Sequence, residues 1–307
     1  MSSDAAPPVN IQTLVGAERL RRLERLRNGP GLLFLAGHFA VLGLSGVLVW
    51  ASRDSLWLWP AMFVHGVVLV HLFGPQHEAA HMTAFKSRWL NTAVNWITGV
   101  LIFDQPTYFR LEHSAHHRFT QDVERDPERI PAADSVGGYF WYLTGLPYYW
   151  ALATTLVRTA RGRFIKSEEA FIPKSWRGRV ARHSAIMLAI YGVAIIASVA
   201  LMSDAILVYW ALPLLLGQPV QRAIRKTEHG GCDKSPNFLR NTRTTLTNPV
   251  LRLLGWNMAY HAEHHAMTTV PFFRLGRAHD AVKDHLQFVA RGYGAATADV
   301  LRRARGS

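Results

Sequence analysis

The sequence predicts an all-α membrane protein. It would have four transmembrane helices in two hairpins, interfacial helices beside them and a cytoplasmic cap. Three observations lead there: four stretches without Asp, Glu, Lys or Arg, a lopsided distribution of basic residues, and three histidine clusters beside the ends of those stretches.

The uncharged stretches are residues 31–51, 56–76, 184–202 and 205–220. A membrane-spanning helix needs about 20 mostly apolar residues, with a lower bound near 17. The first three stretches satisfy this directly. The fourth does so only if it runs on to Gln221, just before Arg222. Core helices of a soluble protein are the alternative, but those keep one polar face, and these stretches are apolar all round.

The formal net charge is +13. A basic chain can bind nucleic acid, yet membrane topology accounts for this charge better. The tip between the first two stretches, 52–55, holds only Arg53, and the tip 203–204 holds no Lys or Arg. Every other Lys and Arg falls on the opposite side, which the positive-inside rule makes cytoplasmic. Both termini and all three histidine clusters share that side. The reading is therefore a multi-pass protein with no nucleic-acid partner.

Residues 1–30 do not read as a cleavable signal peptide, because no apolar core follows a short basic start. Leu20, Leu23 and Leu26 alternate with arginines there. That pattern suits either an amphipathic helix on an anionic leaflet or an ordinary solvated helix. The one cysteine, Cys232, excludes an internal disulfide or a cysteine-based metal site. The catalytic domain is expected over 31–275, and 276–307 reads as a polar helix and a basic tail.

Two more apolar segments test the topology. Residues 89–103 are short for a span, and 137–157 are long enough. If both crossed, one histidine cluster would be separated from the other two, so both are assigned to the interface. Tyr139, Phe140, Trp141, Tyr142, Tyr148, Tyr149 and Trp150 suit a membrane boundary. Pro147, with Gly145 just before it, would break a helix.

The clusters are His77-Glu78-Ala79-Ala80-His81, His113-Ser114-Ala115-His116-His117 and His261-Ala262-Glu263-His264-His265. Helical positions i, i+3 and i+4 share a face, so each cluster aims two or three imidazoles at one point. Helices are expected over 108–120 and 256–267. One zinc takes about four ligands. Eight imidazoles suit two metal ions. His229 follows the fourth stretch on the same side and reads as a ninth ligand. Glu228 beside it, and Asp122, Glu124, Asp126 and Glu128 after the second cluster, are candidates to accept bonds from ligand imidazoles, or are simply solvated. His38, His65 and His71 lie within spans. They are functional groups, or neutral imidazoles bonded to a neighbouring helix; His71 could line a substrate path. His183, His279 and His285 have no partner at ligand spacing.

All-nitrogen ligands suit iron, zinc, copper or nickel. Two metals at a membrane surface suit iron and O₂. The order HxxxH, HxxHH, HxxHH, each beside a membrane exit, resembles the membrane fatty acid desaturase and hydroxylase superfamily over about residues 60–275. Tyr260 to His265, followed by Val270-Pro271, is similar to the third histidine box of acyl desaturases, and His116 to Asp122 to the second. The Glu228-His229 pair resembles the extra ligand motif of membrane alkane hydroxylases. The resemblance implies a diiron centre, O₂, two external electrons and an alkyl or acyl substrate. It also implies metal-ligand roles for His77, His81, His113, His116, His117, His261, His264 and His265. The outcome would be desaturation or, on the same scaffold, hydroxylation.

The sequence shows no His-Pro-Gly-Gly haem motif and no cysteine cluster. Electrons are therefore expected from a separate ferredoxin, rubredoxin or haem protein. Arg158, Arg161, Arg163, Lys166, Lys174, Arg177 and Arg179 could steer such a carrier or hold anionic lipid. Two rivals remain at this level. His77 to His81 also fits the HExxH zinc-protease signature with Glu78 as base. A metal transporter would instead place its ligands near mid-membrane.

Overall fold

The computed structural model describes residues 9–130 and 135–305. The first eight residues of the expected N-terminal segment and the last two of the tail lie outside these. Two short helices, α1 (Ile11–Val15) and α2 (Ala17–Leu23), come first. Gly16, at φ 83°, separates them in a conformation that costs other residues energy. The leucine pattern predicts a helix reaching Leu26; it stops at Leu23. Val15 and Leu23 are buried in one apolar cluster with Phe272, Leu275 and Val282.

Helix α3 (Asn28–Ala51) has 24 residues, about 36 Å at 1.5 Å each. Helices α4 (Leu58–Val70) and α5 (Phe73–Ala80) form one rod with a break at His71-Leu72. The break has a chemical cause. Pro75 cannot donate to the His71 carbonyl, and Gly74 N bonds it instead at 2.9 Å.

The expected interfacial segments are helical. Of residues 89–103, all but Ile102 and Phe103 fall in α6 (Arg88–Leu101), and the second histidine cluster lies on α7 (Pro106–Phe119). Residues 137–157 are split into α8 (Val136–Leu143) and α9 (Leu146–Ala160) by left-handed Gly145, φ 71°. A Cβ at Gly145 would meet Gln218 Cγ at 2.2 Å, so glycine is required there twice over. The short α10 (Lys166–Glu169) leads to α11 (Lys174–Ala200).

Among the described residues three helical runs are long and apolar enough to cross a membrane: Asn28–Ala51, Leu58–Ala80 and Lys174–Ala200. The fourth predicted span is not one of them. Its residues form a π-helical turn, Leu207–Ala211, that enters α12 (Leu212–His229). The apolar part of this rod is short, because the second half of α12 carries Arg222, Arg225, Lys226 and Glu228. Pro213 lacks the N–H that would bond the Tyr209 carbonyl; His65 Nε2 supplies it at 3.0 Å from α4. The two hairpin tips meet where Arg53 pairs with Asp204 at 2.5 Å, so both lie at one end of the molecule.

After α12 come α13 (Phe238–Asn241), β1 (Thr244–Leu246), α14 (Pro249–Leu254), α15 (His261–Ala266), α16 (Leu275–Val282), β2 (Val289–Arg291) and α17 (Tyr293–Arg305). Strands β1 and β2 pair in parallel, Thr244 opposite Val289. This pair departs from the all-α expectation, and the tail is two helices flanking a strand rather than one helix with a loose end. The helix expected over 256–267 begins only at His261. Trp256 and Asn257 are left-handed, at φ 49° and 57°. Trp256 is fully buried, and Asn257 donates its side-chain amide to Phe272 O at 3.2 Å.

Helices α4 and α12 touch backbone to backbone. A Cβ on Gly217 would lie 2.2 Å from Gly66 C, and one on Gly66 would lie 1.8 Å from Pro213 O. Small residues permit such an approach between apolar helices. It sets the spacing between the ends that carry His77 and His229. Gly217→Val should therefore lower thermal stability in detergent by about 1–3 kcal/mol, at about 2–4 °C for each, and reduce bound metal. An unchanged melt would show that the helices need no such contact.

Candidate metal centre

Four elements carry the nine histidines. His77 lies in the last turn of α5 and His81 caps it. α7 carries His113, His116 and His117; the Gln105 side chain caps its start and Pro106 is preset for helix entry. His229 ends α12. His261, His264 and His265 fill the six-residue α15. The i, i+3, i+4 spacing survives the late start of this helix, because His261 is its first residue.

The imidazoles gather in two groups. His77, His81, His113, His117 and His264 form one; His116, His229, His261 and His265 form the other. Within each group the ligand nitrogens lie within 4.8 Å of one another. The Nε2 atoms face inward. His113 and His117 stand 2.9 Å apart, and His264 is 3.2 Å from both His81 and His117. In the second group His261 is 3.2 Å from both His229 and His265. Nitrogens about 2.0–2.1 Å from a shared ion stand about 3.0–3.4 Å apart. The residues fit a metal in each group. Unpartnered buried nitrogens agree: both of His77, and Nε2 of His116.

Outward bonds fix the rings. His113 Nδ1 donates to Glu128 at 2.7 Å and His116 Nδ1 to Asp126 at 2.8 Å. His229 Nδ1 donates to Asn241 O at 3.2 Å, and His265 Nδ1 lies 3.2 Å from Thr120 Oγ1. A ring that donates from Nδ1 presents a lone pair at Nε2.

The acidic run after the second cluster divides. Asp126 and Glu128 reach imidazoles. Asp122 does not: it pairs with Arg125 at 2.5 Å and accepts the N–H groups of Glu124 and Arg125. Its expected role beside the site is withdrawn; a local turn uses up its oxygens. Glu124 is exposed. Glu228 bonds Arg225 at 2.9 Å and lies 3.7 Å from His261 Nε2. It faces an inward nitrogen rather than backing an outward one. Glu78 accepts from Thr83 Oγ1 at 2.8 Å and Phe272 N at 3.3 Å, and lies 3.6 Å from His264 Nδ1. These bonds, and the three further imidazoles of His113, His117 and His264 around His77 and His81, leave no place for the protease arrangement.

Sequence reasoning missed Arg225, Glu263 and His279. Arg225 joins Glu128 and Glu228 at 2.6 and 2.9 Å. Glu263 takes Thr244 Oγ1 at 2.6 Å and His279 Nδ1 at 2.5 Å, which anchors α15. The three span histidines are otherwise engaged. His38 bonds Val68 O, His65 bonds Ser45 and Tyr209 O, and His71 bonds Val67 O.

Burial holds His81, His113, His117, His229, His261, His264 and His265 below the usual histidine range, in the neutral form that binds metal. His116 is raised instead: burial opposes its charge, but Glu128 and Asp126 outweigh burial. Burial likewise opposes charge on Glu128, yet His113, His116 and Arg225 hold its carboxyl well below the usual range. A cavity of about 930 Å³ opens against His116 and His229, with Val136, Tyr139, Phe140, Val300 and Leu301 on its apolar wall.

The sequence profile described as fatty acid desaturase matches residues 54–296, most of the chain. A dihydrorhizobitoxine desaturase of Bradyrhizobium elkanii is 27% identical over 286 residues, covering 84% of this chain and 77% of that protein. An sn-1 acyl-lipid omega-3 desaturase (ferredoxin) of Nostoc sp. (strain 36) is 22% identical over 255 residues, 76% of this chain and 70% of the relative. An sn-1 oleoyl-lipid 12-desaturase of Synechocystis sp. (strain ATCC 27184 / PCC 6803 / Kazusa) is 28% identical over 138 residues, 39% and 37% of the two chains. With its paired histidine groups and apolar helices, this chain belongs to the fatty acid desaturase family and is an oxidoreductase of that type.

Proposed function

We propose that this chain is a multi-pass membrane desaturase that binds two iron ions through the nine histidines. It would remove two hydrogens from adjacent unactivated carbons of an alkyl or acyl chain, with its site and termini on the cytoplasmic side. The observation that carries the reading is the division of nine inward-facing imidazoles into groups of five and four. Iron bound there would supply O₂ activation. The balance is one O₂, two protons and two carrier electrons, together with two hydrogens from the substrate, giving an alkene and two waters.

The chain's own residues have definite tasks in this scheme. Glu128 and Asp126 hold the His113 and His116 rings and keep their protons on Nδ1. Arg225 helps hold Glu128 as a carboxylate and bonds Glu228, whose carboxyl burial pushes up. The cavity beside His116 and His229 receives the chain to be oxidised. A separate carrier of the ferredoxin, rubredoxin or haem type supplies electrons; a relative whose name includes ferredoxin supports this. Of the basic residues suggested for docking, Arg161, Arg163, Lys166, Lys174 and Arg179 are exposed. Arg158 and Arg177 are paired with Glu168 and Glu169.

Purified protein should hold about two irons per chain, falling to about one in His264→Ala, which removes a ligand of the five-imidazole group that touches His81 and His117. One zinc and no iron would end the proposal. Asp126→Asn and Glu128→Gln should each weaken metal binding by about 10–100-fold. Each acts mainly on the group whose ring it holds, so a chelator should strip one iron well before the second. Loss of both irons together, or of neither, would contradict the separate roles. Mass spectrometry of the product should show loss of two hydrogens; a gained oxygen would make the enzyme a hydroxylase.

A further inference from the structure

We propose that the cavity beside the second histidine group is blind, so that the enzyme oxidises carbons close to the inserted end of its substrate, with Val300 as the stop that sets the count. This rests on the desaturase reading and adds to it the position on the substrate at which the site acts.

The lining residues run from exposed to buried. At the mouth stand Val136 and Phe140 of α8, 72% and 64% exposed, and Leu301 of α17, 39% exposed. At the other end His116, Arg225, Glu228 and Val300 are buried. Of the nine histidines only His116 and His229 line the cavity, and both belong to the second group. A chain that enters past α8 therefore meets the second metal position where the cavity closes. Glu228 also borders a second cavity, together with His71 and Tyr293. Its volume of about 20 Å³ has room for about one water and none for an alkyl tail. Oxidation in mid-chain needs room for alkyl carbons on both sides of the metal. Here the roomy side is the mouth.

Val300 is a fixed wall. A Cβ on Gly230 would stand 3.1 and 3.2 Å from its two Cγ atoms, and Gly230 directly follows His229. The side chain thus packs against the turn that carries a metal ligand. Asp299, the residue before it, bonds the buried Arg243 at 2.8 Å, and Arg243 bonds Gly230 O at 2.9 Å. This clamp ties α17 to the end of α12, so Val300 cannot yield without pulling on His229. The opposite wall is softer, for α8 buries none of its residues. The end that enters is alkyl. Arg225 is already bonded to Glu128 and Glu228, and the Glu128 carboxylate would repel an acid group.

The test is calorimetric titration of the iron-loaded protein, kept anaerobic, with straight-chain saturated fatty acids and with analogues of equal carbon count that end in a tert-butyl group. The straight acids should bind about tenfold or more tightly than the branched ones. Val300→Ala removes two methyl groups and should cut that difference several-fold with iron content unchanged. If this variant fails to fold, Val300→Ile, which adds one carbon, should weaken binding of the straight acids about fourfold. Equal binding of the two series by the native protein, an undiminished difference in Val300→Ala, or unchanged binding of the straight acids in Val300→Ile would overturn the proposal. Loss of iron from a folded Val300→Ala protein would do the same, because the residue would then be a support for His229. On turnover the new double bond should lie within a few carbons of the methyl end, and further from that end in Val300→Ala; a bond in mid-chain would also overturn the proposal. Binding needs no turnover, so a failure in the titration leaves the desaturase reading intact. Absence of any dehydrogenated product would end that reading without touching the blind end.

Discussion

Nine imidazoles, seven of them buried and those of His81 and His229 half-buried, gather with nitrogens turned toward one another. This constraint governs the remainder of the molecule. Lone pairs at about hydrogen-bond distance repel unless a cation lies between them, and burial opposes protonating the rings. Bonds to outward Nδ1 atoms fix part of the arrangement, while the Nδ1 atoms of His77, His117, His261 and His264 have no partner. Glu128, Asp126, Asn241 and Thr120 provide those ties on four of the rings.

Holding four separate chain segments to this precision is a task for the helices. The break at His71-Leu72 re-aims α5 so that His77 and His81 meet α7. α12 runs from the apolar region to its last residue, His229, and brings Arg225 and Glu228 with it. The Gly66–Gly217 contact fixes how closely α4 and α12 approach. Beyond the helices, Glu263 ties α15 to β1 through Thr244 and to α16 through His279. The small parallel sheet thus sets the position of the third cluster.

Much of this was legible in the residues. Near-uniform apolar runs identified α3, the α4–α5 rod and α11, and Gly145 with Pro147 marked the break between α8 and α9. The histidine spacing pointed to convergent rings, since i, i+3 and i+4 share a face whatever the tertiary context. What was hidden lies where no periodicity operates. Asp122 and Asp126 are equivalent in sequence, and turn geometry alone decides that one closes a local turn and the other reaches His116. The three-residue strands are too short to leave a pattern, and their partners are far apart in the chain. Left-handed Trp256 and Asn257 follow from burial of the indole. The reach of the fourth span was misjudged because the polar half of α12 continues the same helix.

Mössbauer spectroscopy of the anaerobic, iron-57-loaded protein tests the central claim most directly. Five imidazoles in one group and four in the other predict two ferrous sites with distinct signals of equal area. A single signal, or one site alone occupied at saturating iron, would contradict the division of the nine histidines into two metal-binding groups.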